Sequence, residues 1–229
     1  MTEPGAAAPT KLDFHFDVMC PWAYQTSVWI RDVRDQIGLD IGWRFFSLEE
    51  VNRAEGRRHP WERDWSYGWS MMRIGARMRR ESNEMLDSWY EVSGRALHED
   101  GRQPHRREVA EELVAEMGLD SGLVAEAMDD PTTHAEVKAD HDRVLALGGF
   151  GVPTLVFDDG STLFGPVVTP APRGAEALRL WELTVGWTAF PHLYELRRPK
   201  SDTDLAHIAH SFEPYLRARE WNTVQKPVA

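Results

Sequence analysis

An α/β fold, with a large all-helical insertion between its second and third strands, is what this 229-residue chain predicts. Three observations carry that reading. An alternating strand near the N-terminus runs into Cys20-Pro21 and then a helix. From about Trp61 to Leu147 the apolar spacing is helical throughout. Strand signals return only at Pro153. A hydrophobic content of 42% is enough to fill a core of the size such a fold needs.

The elements follow in order. Leu12, Phe14, Phe16 and Val18 alternate with Asp13, His15 and Asp17, a period-2 strand that stops at Met19-Cys20. Pro21 suits a first helical position, where its missing N–H costs nothing. Trp22 to Ile37 reads as a helix with an apolar stripe of Val28, Trp29, Val33 and Ile37, closed by Gly38. Asp40 to Leu48 is the second strand, and Glu49 to Pro60 a polar loop. Helical spacing then relates Trp61, Trp65, Trp69, Met72 and Ala76, and again Met85, Trp89, Val92 and Ala96. Further helices cover Val109–Met117, Leu123–Met128 and Ala135–Leu147.

Pro153 to Phe157 and Thr162 to Val168 are strands joined by an Asp158-Asp159-Gly160-Ser161 turn, with Gly165-Pro166 bending the second or placing it at an edge. Gly174 to Trp187 is the last helix of the body. Beyond Ser201 one amphipathic helix is expected near Leu205 to Leu216. With the helical block removed, this order is that of a thioredoxin core: a right-handed crossover between parallel strands, then an antiparallel hairpin. The expected divisions are 11–58 and 149–198 for the thioredoxin-like domain, 59–148 for the helical insertion and 199–229 for a tail.

Lys plus Arg number 26 against 37 Asp plus Glu, a net charge of −11, which argues against nucleic acid or an anionic membrane as partner. A single cysteine rules out an internal disulfide and fits a reducing compartment. Met1 to Thr10 has neither the basic nor the apolar region of a signal peptide, and no apolar run approaches a membrane span. The expectation is a cytoplasmic protein with a short leader.

The chemistry centres on Cys20. A free thiol has a pKa of about 8.5, and a helix N-terminus lowers it to roughly 3.5–7.5, because unpaired N–H groups and the helix dipole face the sulfur. Cys20 is therefore expected to be partly or wholly thiolate at neutral pH. The competing possibility is a buried structural cysteine. Ala23 stands where a Cys-x-x-Cys site has its resolving thiol, so any mixed disulfide at Cys20 must be released by an external thiol.

Around Cys20, Val152-Pro153-Thr154 is expected to face the thiol in this architecture, with Pro153 either cis or an ordinary strand-opening proline. Asp17, three residues before Cys20, is either an acid/base or a group that orders the turn. Asn52 follows the second strand, where its amide could meet a ligand or simply close a turn. His15 reads as a hydrogen-bonded strand histidine, and Trp61, Trp65 and Trp69 as core or subdomain interface. One cysteine and scattered histidines offer no metal-ligand spacing.

Phe16-Asp17-x-x-Cys20-Pro21-Trp22, with Gly151-Val152-Pro153-Thr154 far downstream, resembles the DsbA-like thioredoxin superfamily. Phe164-Gly165-Pro166-Val167, Pro172-Arg173-Gly174, Phe190-Pro191-His192-Leu193-Tyr194-Glu195-Leu196, and Ser47-Leu48 with Asn52, are similar to the actinobacterial mycothiol-dependent nitroreductase and disulfide reductase group. The resemblance spans roughly Asp13 to Arg198. It implies a thioredoxin fold with a helical insertion, a cytoplasmic setting, a homodimer in many members, and mycothiol as the thiol co-substrate; the residue spacing, separately, predicts no metal. The resemblance places Cys20 as nucleophile, Pro153 as the cis-proline, and Trp22 and Asn52 in the same pocket; the full expected thiol- and substrate-binding set is Pro21, Trp22, Ala23, Asn52, Val152, Pro153 and Thr154.

Two departures matter. Ala23 replaces the group's second cysteine, so reduction of a nitro compound needs both electrons from external thiols. Gly165-Pro166-Val167 replaces the Gly-x-Asp-Arg of kappa-type glutathione transferases and chromene carboxylate isomerases, which disfavours glutathione. The expected function is a monothiol, mycothiol-dependent oxidoreductase acting on mixed disulfides or small electrophiles such as nitroaromatics. Its rivals are a thiol-dependent transferase or isomerase of a small, polyketide-like molecule, and a redox-inactive binding protein.

Overall fold

The structure is a computed structural model and describes residues 9–220. The expected leader over Met1–Thr10 falls almost entirely outside these residues, as does the tail beyond Glu220. Strand β1 (Lys11–Phe16) lies inside a four-stranded sheet of order β2-β1-β3-β4, with β2 (Asp40–Phe45), β3 (Thr154–Phe157) and β4 (Thr162–Phe164). It pairs parallel with β2, Phe14 opposite Trp43, and antiparallel with β3, His15 opposite Thr154. Helix α1 (Pro21–Ile37) makes the crossover between the two parallel strands. Pro21 sits in its first turn and Gly38 ends it at φ +72°, a conformation glycine adopts without a Cβ penalty.

Several boundaries differ from the sequence reading. The second strand stops at Phe45, because Ser47 caps a short helix, α2 (Leu48–Val51), through Glu50 N at 3.1 Å. Strand β4 stops at Phe164, where Gly165 turns away at φ +111° and Pro166 has no N–H to give. Ile37, expected on the buried stripe of α1, is exposed; Ala23, Tyr24, Ile30 and Val33 are among the residues that pack.

The insertion contains α3 (Tyr67–Arg79), α4 (Asn83–His98), α5 (Arg107–Glu116), α6 (Gly122–Asp129) and α7 (Pro131–Ala146). Trp61 and Trp65 do not share a helix with Trp69. Pro60 opens a single 3₁₀ turn, and the chain reaches α3 only at Tyr67. The rings of Trp61 and Trp69 still meet, centroids 5.0 Å apart, while Trp65 Nε1 donates to His105 O at 2.7 Å. The last body helix, α8 (Gly174–Thr188), packs on α1, where Trp29 Nε1 donates to Ala177 O at 3.0 Å. The tail forms two helices rather than one, α9 (Asp202–Ser211) and α10 (Glu213–Ala218). Pro214 belongs in a first turn and cannot continue the helix before it.

Sheet and insertion share one apolar cluster, from Phe14 and Trp43 to Trp89 and Leu113. Arg31, 6% exposed, is set into it. Its Nε is 2.7 Å from Asp87 Oδ1, its Nη1 donates to Ser27 Oγ at 2.8 Å, and its guanidinium lies 4.6 Å over the Trp43 ring. Asp87 keeps Arg34 Nη1 on its other oxygen, so loss of Arg31 leaves it half-paired. Arg31→Met is expected to lose about 2 kcal/mol of unfolding free energy through the lost charged hydrogen bonds. Urea unfolding checks this, and an unchanged midpoint would rule it out.

Candidate active site

Cys20 is the N-cap of α1, with extended backbone at φ −92°, ψ 111°. Its Sγ accepts from Ala23 N–H at 3.4 Å and lies 3.7 Å from Val152 O, to which the thiol donates. The two elements that sequence placed together, 132 residues apart, therefore meet at the sulfur. The Val152–Pro153 peptide is cis. Thr154 fixes this loop by donating Oγ1 to Gly151 O at 2.7 Å, and Gly165 N closes it on Pro153 O at 2.9 Å.

The electrostatics overturn one expectation. Cys20 is buried, and burial pushes its thiol up to about 12; the N–H groups of Ala23 and Trp22 pull the other way and lose, and the nearby Asp17 adds to the rise. Cys20 is thus a neutral thiol in this arrangement, not the thiolate expected from the helix N-terminus. Helix donors are present, but a desolvated sulfur cannot hold charge on their strength alone.

Asp17 is also buried. Its two oxygens accept from Met19 N at 2.9 Å and Leu48 N at 2.8 Å, which ties the Cys20 turn to α2. Burial nevertheless pushes its carboxyl up to about 7, against those two N–H groups, with Glu49 nearby raising it further. Helix α3 passes so close that a Cβ on Gly68 would stand 2.8 Å from Asp17 Oδ1. Asn52 ends α2 on the surface, its Nδ2 donating to Leu48 O at 2.8 Å. Trp22 is half-buried against the Phe212 ring, centroids 4.7 Å apart and nearly perpendicular. His15 is buried, and burial lowers its pKa to about 4.

Two neighbours escaped the sequence reading. His98, at the end of α4, donates Nε2–H to Val18 O at 2.8 Å, and burial lowers its pKa to about 4. Phe212 comes from the tail. Neither sits in a motif; only an amphipathic pattern after Ser201 hinted that the tail packs anywhere. Among the described residues, no cluster of His, Cys, Asp and Glu could hold a metal, and no helix is long and apolar enough to cross a membrane.

Residues 19–198 match the Rv2466c-like family, described as mycothiol-dependent nitroreductase Rv2466c. The chain belongs to this family. The family and several structural neighbours point to thiol-disulfide oxidoreductase-type enzymes, and the neighbours share a DsbA-like thioredoxin fold. The chain is 55% identical over 217 residues to the uncharacterized protein Rv2286c of Mycobacterium tuberculosis, covering 95% of this chain and 94% of that protein. That alignment is longer than the family match and runs into the segment after Arg198. Among solved structures, 2-hydroxychromene-2-carboxylate isomerase is similar at a TM-score of 0.57 and 15% identity, covering 78% of this chain and 95% of that one. The cytosolic disulfide reductase DsbM from Pseudomonas aeruginosa is similar at a TM-score of 0.54 and 17% identity, covering 77% and 99%. At these identities the likeness is one of fold.

Proposed function

We propose that this member of the Rv2466c-like family is a monothiol oxidoreductase that uses Cys20 with mycothiol on mixed disulfides and small electrophiles. The observation that carries the reading is the sulfur's placement: an N-cap thiol against the Val152 carbonyl, with Ala23 donating its N–H where a second thiol would stand. With a mixed disulfide of mycothiol, the Cys20 thiol gives its proton to Asp17 and the thiolate so formed attacks the mycothiol sulfur. A Cys20–mycothiol disulfide forms, and the other half leaves as a thiolate and takes up a proton. A second mycothiol thiolate then attacks the bound mycothiol sulfur, which restores Cys20 and gives oxidised mycothiol. The electrons thus come from the second mycothiol. For a nitroaromatic, two mycothiols supply two electrons and the products are the nitroso compound, oxidised mycothiol and water. Asp17, with a carboxyl near 7, is suited to pass the proton.

A second reading is favoured by the raised thiol. A neutral, buried Cys20 suits a site that holds a substrate's own thiolate at the α1 N-terminus for transfer or isomerisation. Incubation with oxidised mycothiol and, separately, oxidised glutathione distinguishes the two by intact mass. The expected result is one mycothiol adduct on Cys20 and little glutathione adduct. No adduct from either, with Cys20 also inert to iodoacetamide near neutral pH, would eliminate the first reading.

A further inference from the structure

Helices α9 and α10 lie beyond the family match and hold themselves down lightly. They follow an irregular run in which Tyr194 and Leu196 are exposed. Helix α9 buries none of its residues. The pair docks through a small apolar cluster separate from the main core: Met19, Leu97, Phe212, Tyr215 and Ala218, with Trp22 and Ile208 packed around it. Cys20 itself belongs to the main core.

The docking residues pack on the chain neighbours of Cys20 on both sides. Phe212 covers Trp22, two residues after Cys20. Met19, the residue before it, is buried in the same cluster. Tyr215 lies 5.3 Å from the His98 ring, and His98 holds the Val18 carbonyl. Polar anchors include Gln103 Nε2 to Ala218 O at 2.9 Å, His207 Nε2 near Thr169 O at 3.3 Å, and Glu220 with His105 and Arg106. A segment with so little buried apolar contact opens at a fraction of the free energy of the whole fold.

We propose that α9–α10 is a displaceable cover over the Cys20 site, closed in this structure, whose opening admits the ligand and limits how fast Cys20 reacts. Opening bares Met19 and Trp22, an apolar floor that the body of a small ligand covers in turn. It also returns water to the sulfur, so that the N–H groups of α1 act on a less desolvated thiol.

The test uses the full chain. Cys20 is the sole cysteine, so alkylation by iodoacetamide under native conditions reads its access without any need for mycothiol turnover. Hydrogen exchange of the α10 amides reads the cover, and that of the β1 amides reads the core. Phe212→Ala is expected to speed alkylation and α10 exchange by the same factor, tenfold or more, with β1 unmoved. Faster α10 exchange with unchanged alkylation would overturn the proposal, as would equal loosening of β1. So would wild-type Cys20 reacting at the rate of an unfolded chain. Should Phe212→Ala leave α10 exchange unchanged, Phe212→Ala/Tyr215→Ala must release it; α10 held without both rings also counts against the cover. The outcome is independent of whether the mycothiol adduct forms, so the two failures are distinguishable.

Discussion

Cys20→Ser is expected to abolish mycothiol-dependent reduction, with turnover falling by at least about 10³-fold, while the fold survives. The substitution is gentle structurally. Serine is a better N-cap than cysteine, and its hydroxyl can take the Ala23 N–H and give to the Val152 carbonyl, the two bonds the thiol now makes. It is severe chemically, because a hydroxyl cannot carry the disulfide on which the proposed cycle depends. Thermal unfolding verifies the first half, and a coupled assay with a mycothiol mixed disulfide verifies the second. Reduction persisting in the variant would sink the monothiol cycle. Loss of reduction with retained transfer or isomerisation would shift the reading to the second class, and unaltered ligand binding without any turnover in the wild type to a binding protein.

The second large effect belongs to Asp17. Its folded-state pKa is raised to about 7, well above the ordinary carboxyl value, so the folded protein binds a proton over a range in which the unfolded chain has already lost it. The sign follows. Stability falls as pH rises from about 4 to about 7, and the full loss is present above 7. At 1.36 kcal/mol per pKa unit, a shift of about three units is worth roughly 4 kcal/mol. His15 and His98 act oppositely: burial lowers both to about 4, so their contribution grows as pH rises from about 4 toward 6.5. The wild-type profile is therefore a composite. The difference between Asp17→Asn and wild type isolates the carboxyl: the variant is expected to gain on the wild type across that window and hold a constant gap above it. Urea unfolding at a series of pH values measures this, and a flat difference would show that Asp17 titrates as an ordinary carboxyl.

What the sequence made legible was local. The alternation of Leu12, Phe14 and Phe16, Pro21 at the first helical position, Gly38 as a left-handed cap, and the turn at Gly160 all act within a few residues, and each appears where its chemistry places it. The opposition of Cys20 and Val152 was readable only because the element order matched a known architecture. The three tryptophans before Met72 misled, because a spacing of four is also met by a loop that folds Trp61 back onto Trp69. The state of the thiol was not readable at all. A helix N-terminus is visible in a sequence, but desolvation depends on how the chain packs around the sulfur, and here Cys20 is part of the main apolar core.

Ala23 offers Cys20 a backbone N–H and no sulfur. An oxidant that converted the thiol to a sulfenic acid would leave it no second thiol inside the protein with which to form a disulfide, and the next steps, to sulfinic and sulfonic acid, are not undone by thiols. Depth therefore takes over the task that a resolving cysteine performs elsewhere. A buried, neutral sulfur reacts slowly with peroxide, so the burial of Cys20 slows its entry to those irreversible states.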